Sequence, residues 1–293
     1  MNDLIKSFLN FKENNTNNSD KTIISYTTDL IQFEKHLLEF RNKTITKETA
    51  RHIDIMDIDD FFSDLNKKEM KSSTRNRKSM TISLFFKYLM RVGIITNNPA
   101  EKMAKIKIDI EEKKHLSKED FKIFLDAFKN KRDKLIMFVL VNTGLRISEL
   151  LNLTIGDMKN MKVSIIGKRD KKRKIFINDN CMEVLKDYIK KEKVGSTDSD
   201  FLFTNLNNKK LSQAYIWKVI NNVCEKIGMT DISAHNLRHT FATLQYEFGA
   251  DLKQIQMMLG HSDITTTAKI YTHFTETNLE KSFNNNFLEV KYD

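Results

Sequence analysis

A chain of 293 residues with 40% apolar content is long enough for two domains with real cores, which excludes an intrinsically disordered protein. Lysine and arginine (49) outnumber aspartate and glutamate (39), a net charge of +10 spread over both halves, which suits a protein that wraps a polyanion and releases its counterions. Two cysteines without a C-x-x-C pair argue against a disulfide framework or a cysteine-rich zinc site. The N-terminus is polar (Asn2, Asp3, Lys6) and the longest strongly apolar run, 135–141, is too short to span a bilayer, so the expectation is a soluble, cytoplasmic protein without membrane association.

The first part of the chain reads as helices. Ile23, Ile24, Tyr26, Leu30, Ile31, Phe33, Leu37 and Leu38 recur at three- and four-residue steps after a candidate cap at Ser19, predicting a helix over 20–40. A shorter helix is expected over 57–68. Another is expected over 73–92, with Ile82, Leu84, Phe85, Phe86, Tyr88 and Leu89 as its apolar face. Only Gly93 of the eight glycines precedes residue 106, and Asn97, Asn98 and Pro99 then break the pattern. Residues 103–116 are charged and weakly periodic, as a linker would be. Ser117 opens a capping-box pattern, S-K-E-D.

The second part reads as mostly helical with one small sheet. Strands are expected at 162–166 and 173–177, flanking a basic tip, with a further strand at 201–203. Helices are expected at 118–129, 132–142, 146–153, 180–192, 212–227, 236–248, 251–259, 263–271 and near 276–286. The fold class is thus mainly α: a helical domain at 1–102, a linker at 103–116 and a mostly helical domain with a β-hairpin at 117–293.

Five short patterns stand out in the second part: T-G-L-R-I-S-E-L-L (143–151), I-G-K-R-D-K-K-R (166–173), A-H-N-L-R-H-T-F-A-T (234–243), L-G-H-S (259–262) and I-Y-T-H (270–273). Singly, four of them have an ordinary structural reading: a surface arginine, a solvated hairpin tip, a hydrogen-bonded His–Arg pair, a half-buried tyrosine. Together and in this order they resemble the tyrosine recombinase, or phage integrase, family, and the resemblance extends over essentially the whole chain. In the first part, S-S-T-R-N-R-K-S-M…F-F-K-Y-L…N-N-P-A (72–100) is similar to the last helices of that family's core-binding domain. The length is that of the compact Xer-type and simple integrase members. Tyr271 stands ten residues after His261, one more than the usual Xer-type spacing.

The resemblance implies a site-specific DNA recombinase that cuts and rejoins strands through a 3′-phosphotyrosine, with no ATP, metal or other cofactor. Residue by residue, Arg146 and Arg238 match the catalytic arginines, Lys168 the hairpin lysine, His235 the histidine of H-x-x-R, His261 the His/Trp position, Tyr271 the nucleophile and Glu149 a supporting acid. The residue types suit the chemistry. In-line displacement at a phosphodiester gathers charge on the nonbridging oxygens, and guanidinium groups bind these as a permanently charged fork. His261 can add one hydrogen bond, and His235 can assist proton removal from the Tyr271 hydroxyl. Lys168 can protonate the leaving 5′-oxygen.

DNA contacts are expected from Lys71, Arg75, Arg77 and Lys78 in a basic run near a helix start, and from Arg169 and Lys172 at the hairpin. Phe85, Phe86 and Tyr88 beside that run read as core. The partner implied is double-stranded DNA with a specific recombination site. The assembly implied is a homotetramer, or a heterotetramer with a related recombinase, linked through a C-terminal segment carrying Leu279, Phe283, Phe287 and Leu288. Two alternatives on the same fold stay open: type IB topoisomerase-like strand relaxation, and a catalytically silent DNA-binding regulator.

Overall fold

The computed structural model describes residues 2–15, 18–107, 115–159, 162–166, 172–230 and 232–260. The chain divides into two compact units, Met1–Glu111 and Glu112–Asp293. Among the described residues no helix is long and apolar enough to cross a membrane.

The first unit is helical: α1 (Asp3–Asn15), α2 (Asp20–Arg41), α3 (Ile55–Lys67) and α4 (Ser72–Arg91). Ser19 caps α2 through its side chain, and Asp54 and Asp57 close a capping box on α3. α1 is not among the expected helices; its Leu4, Ile5, Phe8 and Leu9 are buried. Aromatic packing dominates the core: Phe8 meets Phe85 edge-on with ring centroids 5.5 Å apart, and Phe33 meets Phe61 at 5.3 Å. Phe85 and Phe86 are fully buried, in keeping with their reading as core.

Beside this core, Asp29 of α2 is fully buried and accepts from Lys78 Nζ (2.8 Å) and Thr81 Oγ1 (2.9 Å) on α4, with Arg77 as a further partner. A carboxylate can be buried there because two cations and a hydroxyl replace its water. Asp29→Ala should therefore strand the buried Lys78 ammonium and lower stability by roughly 3–5 kcal/mol. Combining it with Lys78→Met should recover most of that loss, as read by urea denaturation of the full chain followed by circular dichroism.

The second unit contains α5 (Lys118–Asp126), α6 (Lys131–Thr143), α7 (Ile147–Leu150), strands β1 (Lys162–Ile166) and β2 (Lys172–Phe176), α8 (Asp179–Glu192), α9 (Gln213–Ile227), α10 (Ala234–Glu247) and α11 (Leu252–Leu259). α6 is apolar on most of its circumference, with Leu135, Ile136, Met137, Val139, Leu140 and Val141 all buried, so it forms the centre of the unit. α10 packs along it. The strands pair antiparallel, with Val163 opposite Ile175 and Ile165 opposite Arg173.

Two expectations are corrected. The helix expected over 146–153 ends at Leu150, because Asn152 and Leu153 turn back onto the carbonyls three residues earlier (3.1 Å each). Residues 201–203 form no strand beyond a single bridge, Phe201 with Thr154, because their neighbour runs at once into the 3-10 turn Gly156–Lys159. The helices expected at 263–271 and 276–286 lie outside the described residues.

Candidate active site

The site begins where α6 stops. Gly144 ends that helix in the left-handed conformation (φ 62°), its N–H donating to the Leu140 carbonyl at 3.0 Å. A side chain at 144 would be strained at that φ, and its Cβ would lie 2.4 Å from the Phe241 ring of α10. Arg146 is the N-cap of α7, and Glu149, one turn on, reaches back to accept the Arg146 backbone N–H at 2.7 Å.

Glu149 is the hub. It is 8% exposed, and its Oε1 also accepts from Arg146 Nη1 at 2.9 Å. From β2, Arg173 grips both carboxylate oxygens with its two Nη atoms, each at 2.8 Å. Arg238 of α10, 3% exposed, brings Nη1 to 4.0 Å from Oε2. Arg238 also donates to the Gly144 carbonyl at 2.6 Å and to the Leu259 carbonyl. Arg146 Nη2 reaches the Gly260 carbonyl at 3.4 Å. Two guanidiniums thus meet the carbonyl end of α11, the negative end of its dipole.

Three guanidiniums share one carboxylate, so the cluster carries excess positive charge. Burial pushes the Glu149 carboxyl up, but the Arg146 N–H and the Arg173 and Arg146 guanidiniums outweigh it and hold the group below the usual glutamate range. Burial, followed by the Arg146 and Arg173 charges, pushes Arg238 down to about 9, against the pull of Glu149. At neutral pH Arg238 remains cationic but crowded, and a bound anion would relieve that crowding. A phosphodiester has the required charge and oxygens.

The structure therefore brings Arg146, Glu149 and Arg238 together. His235, exposed in the first turn of α10, lies on the same helix three residues before Arg238. Lys168, Arg169, His261, Tyr271 and the residues 279–288 lie outside the described residues, and Lys172 is the first residue of β2. In the first unit, Lys71 and Arg77 are exposed and Arg75 is half-buried. Lys78, expected to touch DNA, is instead 2% exposed and paired with Asp29, because its position on α4 faces α2. Sequence reasoning misses Arg173, which opens the expected strand 173–177 and closes the basic pattern 166–173 but is given no role there. The usable signal is strand alternation: Arg173, Ile175 and Ile177 share one face, and the latter two are buried. Among the described residues no cluster of three or more His, Cys, Asp or Glu could hold a metal.

Residues 114–278 match the phage integrase family, and residues 5–93 match the phage integrase N-terminal SAM-like domain. The tyrosine recombinase XerC of Caldanaerobacter subterraneus subsp. tengcongensis is 32% identical over 97% of this chain and 86% of its own length. The tyrosine recombinase XerD of Oceanobacillus iheyensis is 31% identical over 95% of this chain and 96% of its own. Among solved structures, XerH recombinase bound to its difH substrate superposes with TM-score 0.69 at 27% identity, covering 89% of this chain and 78% of that one. The Tn1549 transposon integrase in complex with a circular intermediate DNA gives TM-score 0.79 at 19% identity, covering 96% and 98%, a likeness of fold. The chain belongs to the phage integrase family of tyrosine recombinases, enzymes of site-specific DNA strand breakage and rejoining.

Glu149→Gln keeps the side-chain size but leaves the arginines without their counter-charge. It should lower stability at neutral pH by about 3 kcal/mol. Because Glu149 titrates below the ordinary glutamate value of 4.5 in the folded chain, its contribution is complete above that value and is lost as pH falls through the folded pKa. The gap in melting temperature between wild type and variant should therefore close in acid, which a pair of thermal melts across pH 3–7 measures.

Proposed function

We propose that the cluster around Glu149 is the electrostatic half of the recombination site, with Arg146 and Arg238 binding the nonbridging oxygens of the scissile phosphate. One observation carries this reading: two arginines 92 positions apart in sequence converge on the carbonyl end of α11, with Glu149 holding Arg146 and lying beside Arg238. Such donors are fixed before substrate arrives, so they stabilise developing charge without reorganisation during the reaction.

The remaining roles follow from the chemistry. Tyr271 attacks the phosphorus as its hydroxyl proton passes to the His235 imidazole. His261 adds a hydrogen bond to the phosphate, and Lys168 protonates the departing 5′-oxygen. The product is a 3′-phosphotyrosine with a free 5′-hydroxyl. The covalent link conserves the phosphoester bond energy, and a 5′-hydroxyl from a partner strand reverses the step without ATP. Lys71, Arg75 and Arg77 of the first unit, with Arg169 and Lys172 of the hairpin, supply sequence-independent phosphate contacts. The working unit is a tetramer on two DNA sites, acting in the cytoplasm. The biological setting is either Xer-type dimer resolution or the integration and excision of a mobile element.

Covalent trapping tests the chemistry. Nicked duplexes spanning the DNA that flanks the gene should yield a denaturation-resistant protein–DNA adduct that maps to Tyr271. Tyr271→Phe should keep DNA affinity and lose the adduct entirely; normal strand cleavage by that variant would overturn the assignment. Binding should also weaken steeply with salt, on the order of 10³-fold or more between 50 and 200 mM if six or more phosphates are neutralised, as a filter-binding series would register.

A further inference from the structure

We infer that Arg173, on strand β2, is a positioning residue that holds Glu149 and, through it, fixes the guanidinium of Arg146; this rests on the role of Arg146 proposed above. The side chain of Arg173 is only 10% exposed, although it belongs to a run of basic residues. It lies on the inward face of β2 with Ile175 and Ile177, so the strand's pleat directs it to the site rather than to solvent. Its two Nη atoms each donate to one oxygen of Glu149 at 2.8 Å, and its Nε has no acceptor among the described residues. Among the described residues the cation therefore depends on this one carboxylate.

The arrangement fixes a geometry that Arg146 cannot fix alone. A glutamate side chain turns about three bonds, and the bonds from Arg146 come from a single short stretch of chain. The fork from Arg173 adds two parallel bonds from a separate element, and these define the carboxylate plane. With that plane set, Oε1 is aimed at Arg146 Nη1. Arg146 is itself 39% exposed and keeps its outer side open for a phosphate.

A second contact supports the assignment. Gly260 follows α11, and a Cβ there would lie 2.5 Å from Arg173 Cδ and 2.7 Å from its Nη1. The backbone whose carbonyl accepts from Arg146 is therefore packed directly on the Arg173 side chain. Arg173 joins β2, the start of α7 and the end of α11, three segments that meet at the Arg146 guanidinium.

Two measurements test this. The first needs no substrate: guanidinium ¹H–¹⁵N spectra of the free protein, with the Arg146 signals identified by their loss in Arg146→Lys. Wild type should show Arg146 Nη protons resolved by hindered rotation, and Arg173→Met should collapse them to one averaged signal. Unchanged Arg146 signals would overturn the inference. The second is the rate of adduct formation on the nicked duplexes. Arg173→Met should slow it about 100-fold at unchanged DNA affinity, the scale of a misplaced catalytic group. Arg173→Lys, which keeps the charge but not the fork, should recover to within about tenfold of wild type. The Arg146→Lys/Arg173→Met double variant should be within about threefold of Arg146→Lys, since residues acting as one unit are not additive. Multiplicative losses would mark Arg173 as merely structural. Should Arg173→Met not fold, Arg173→Lys is read by the same two measurements, and wild-type values in both would overturn the inference. An Arg146→Lys protein that cuts as fast as wild type would instead remove the proposed role of Arg146, while the spectra still decide that of Arg173.

Discussion

Guanidiniums gathered at one point repel each other, and Glu149 is the group that makes the convergence of Arg146, Arg173 and Arg238 tolerable. A buried carboxylate would ordinarily be costly, and buried guanidiniums equally so. Here each offsets the other: Glu149 accepts from Arg146 and Arg173 and lies 4.0 Å from Arg238. The compensation is deliberately incomplete. One negative charge against three positive ones leaves a cluster that is stable enough to fold yet still electropositive.

The rest of the second unit can be understood as the frame for that compromise. α6 is buried nearly all round, so its end is fixed by packing rather than by solvent-facing residues. Gly144 turns the chain there without a side chain, which lets Phe241 of α10 close against the turn. Because α10 packs along α6, Arg238 is delivered to the same point, where the Gly144 carbonyl takes one of its N–H groups. α11 contributes no charged side chain to the cluster, only its unsatisfied terminal carbonyls. These hold guanidiniums without adding a second full negative charge, which would cancel the attraction for DNA.

Much of this was legible in the sequence, for identifiable reasons. A helix with an apolar stripe, such as α2, follows from periodicity, and its polar cap at Ser19 marks its start. Glu149 as a supporting acid for Arg146 is implied by the family resemblance, and the structure pairs the two. The limits of α7 did not follow, because a helix of one turn is decided by what its last residues pack on. The inward direction of Arg173 was hidden by composition: six charged residues at 168–173 suggest solvent, and only the alternation further along β2 contradicts that reading.

Lys78 and Arg173 show the same principle, one in each unit. Each sits in a cluster of basic residues, and each is turned inward by the geometry of its element, one by the helical face that α4 presents to α2, the other by the pleat of β2. In both cases a buried acid waits at the receiving end, Asp29 or Glu149. A cationic surface for DNA requires only that positive charge be present, so any lysine or arginine in a run can supply it. A buried cation instead requires one acid at one distance. The acid, rather than the run of bases, is therefore the informative residue: an aspartate or glutamate on a predicted core face, such as Asp29 between Ile23, Leu30 and Phe33, announces that a basic side chain elsewhere in the chain is withdrawn from the surface.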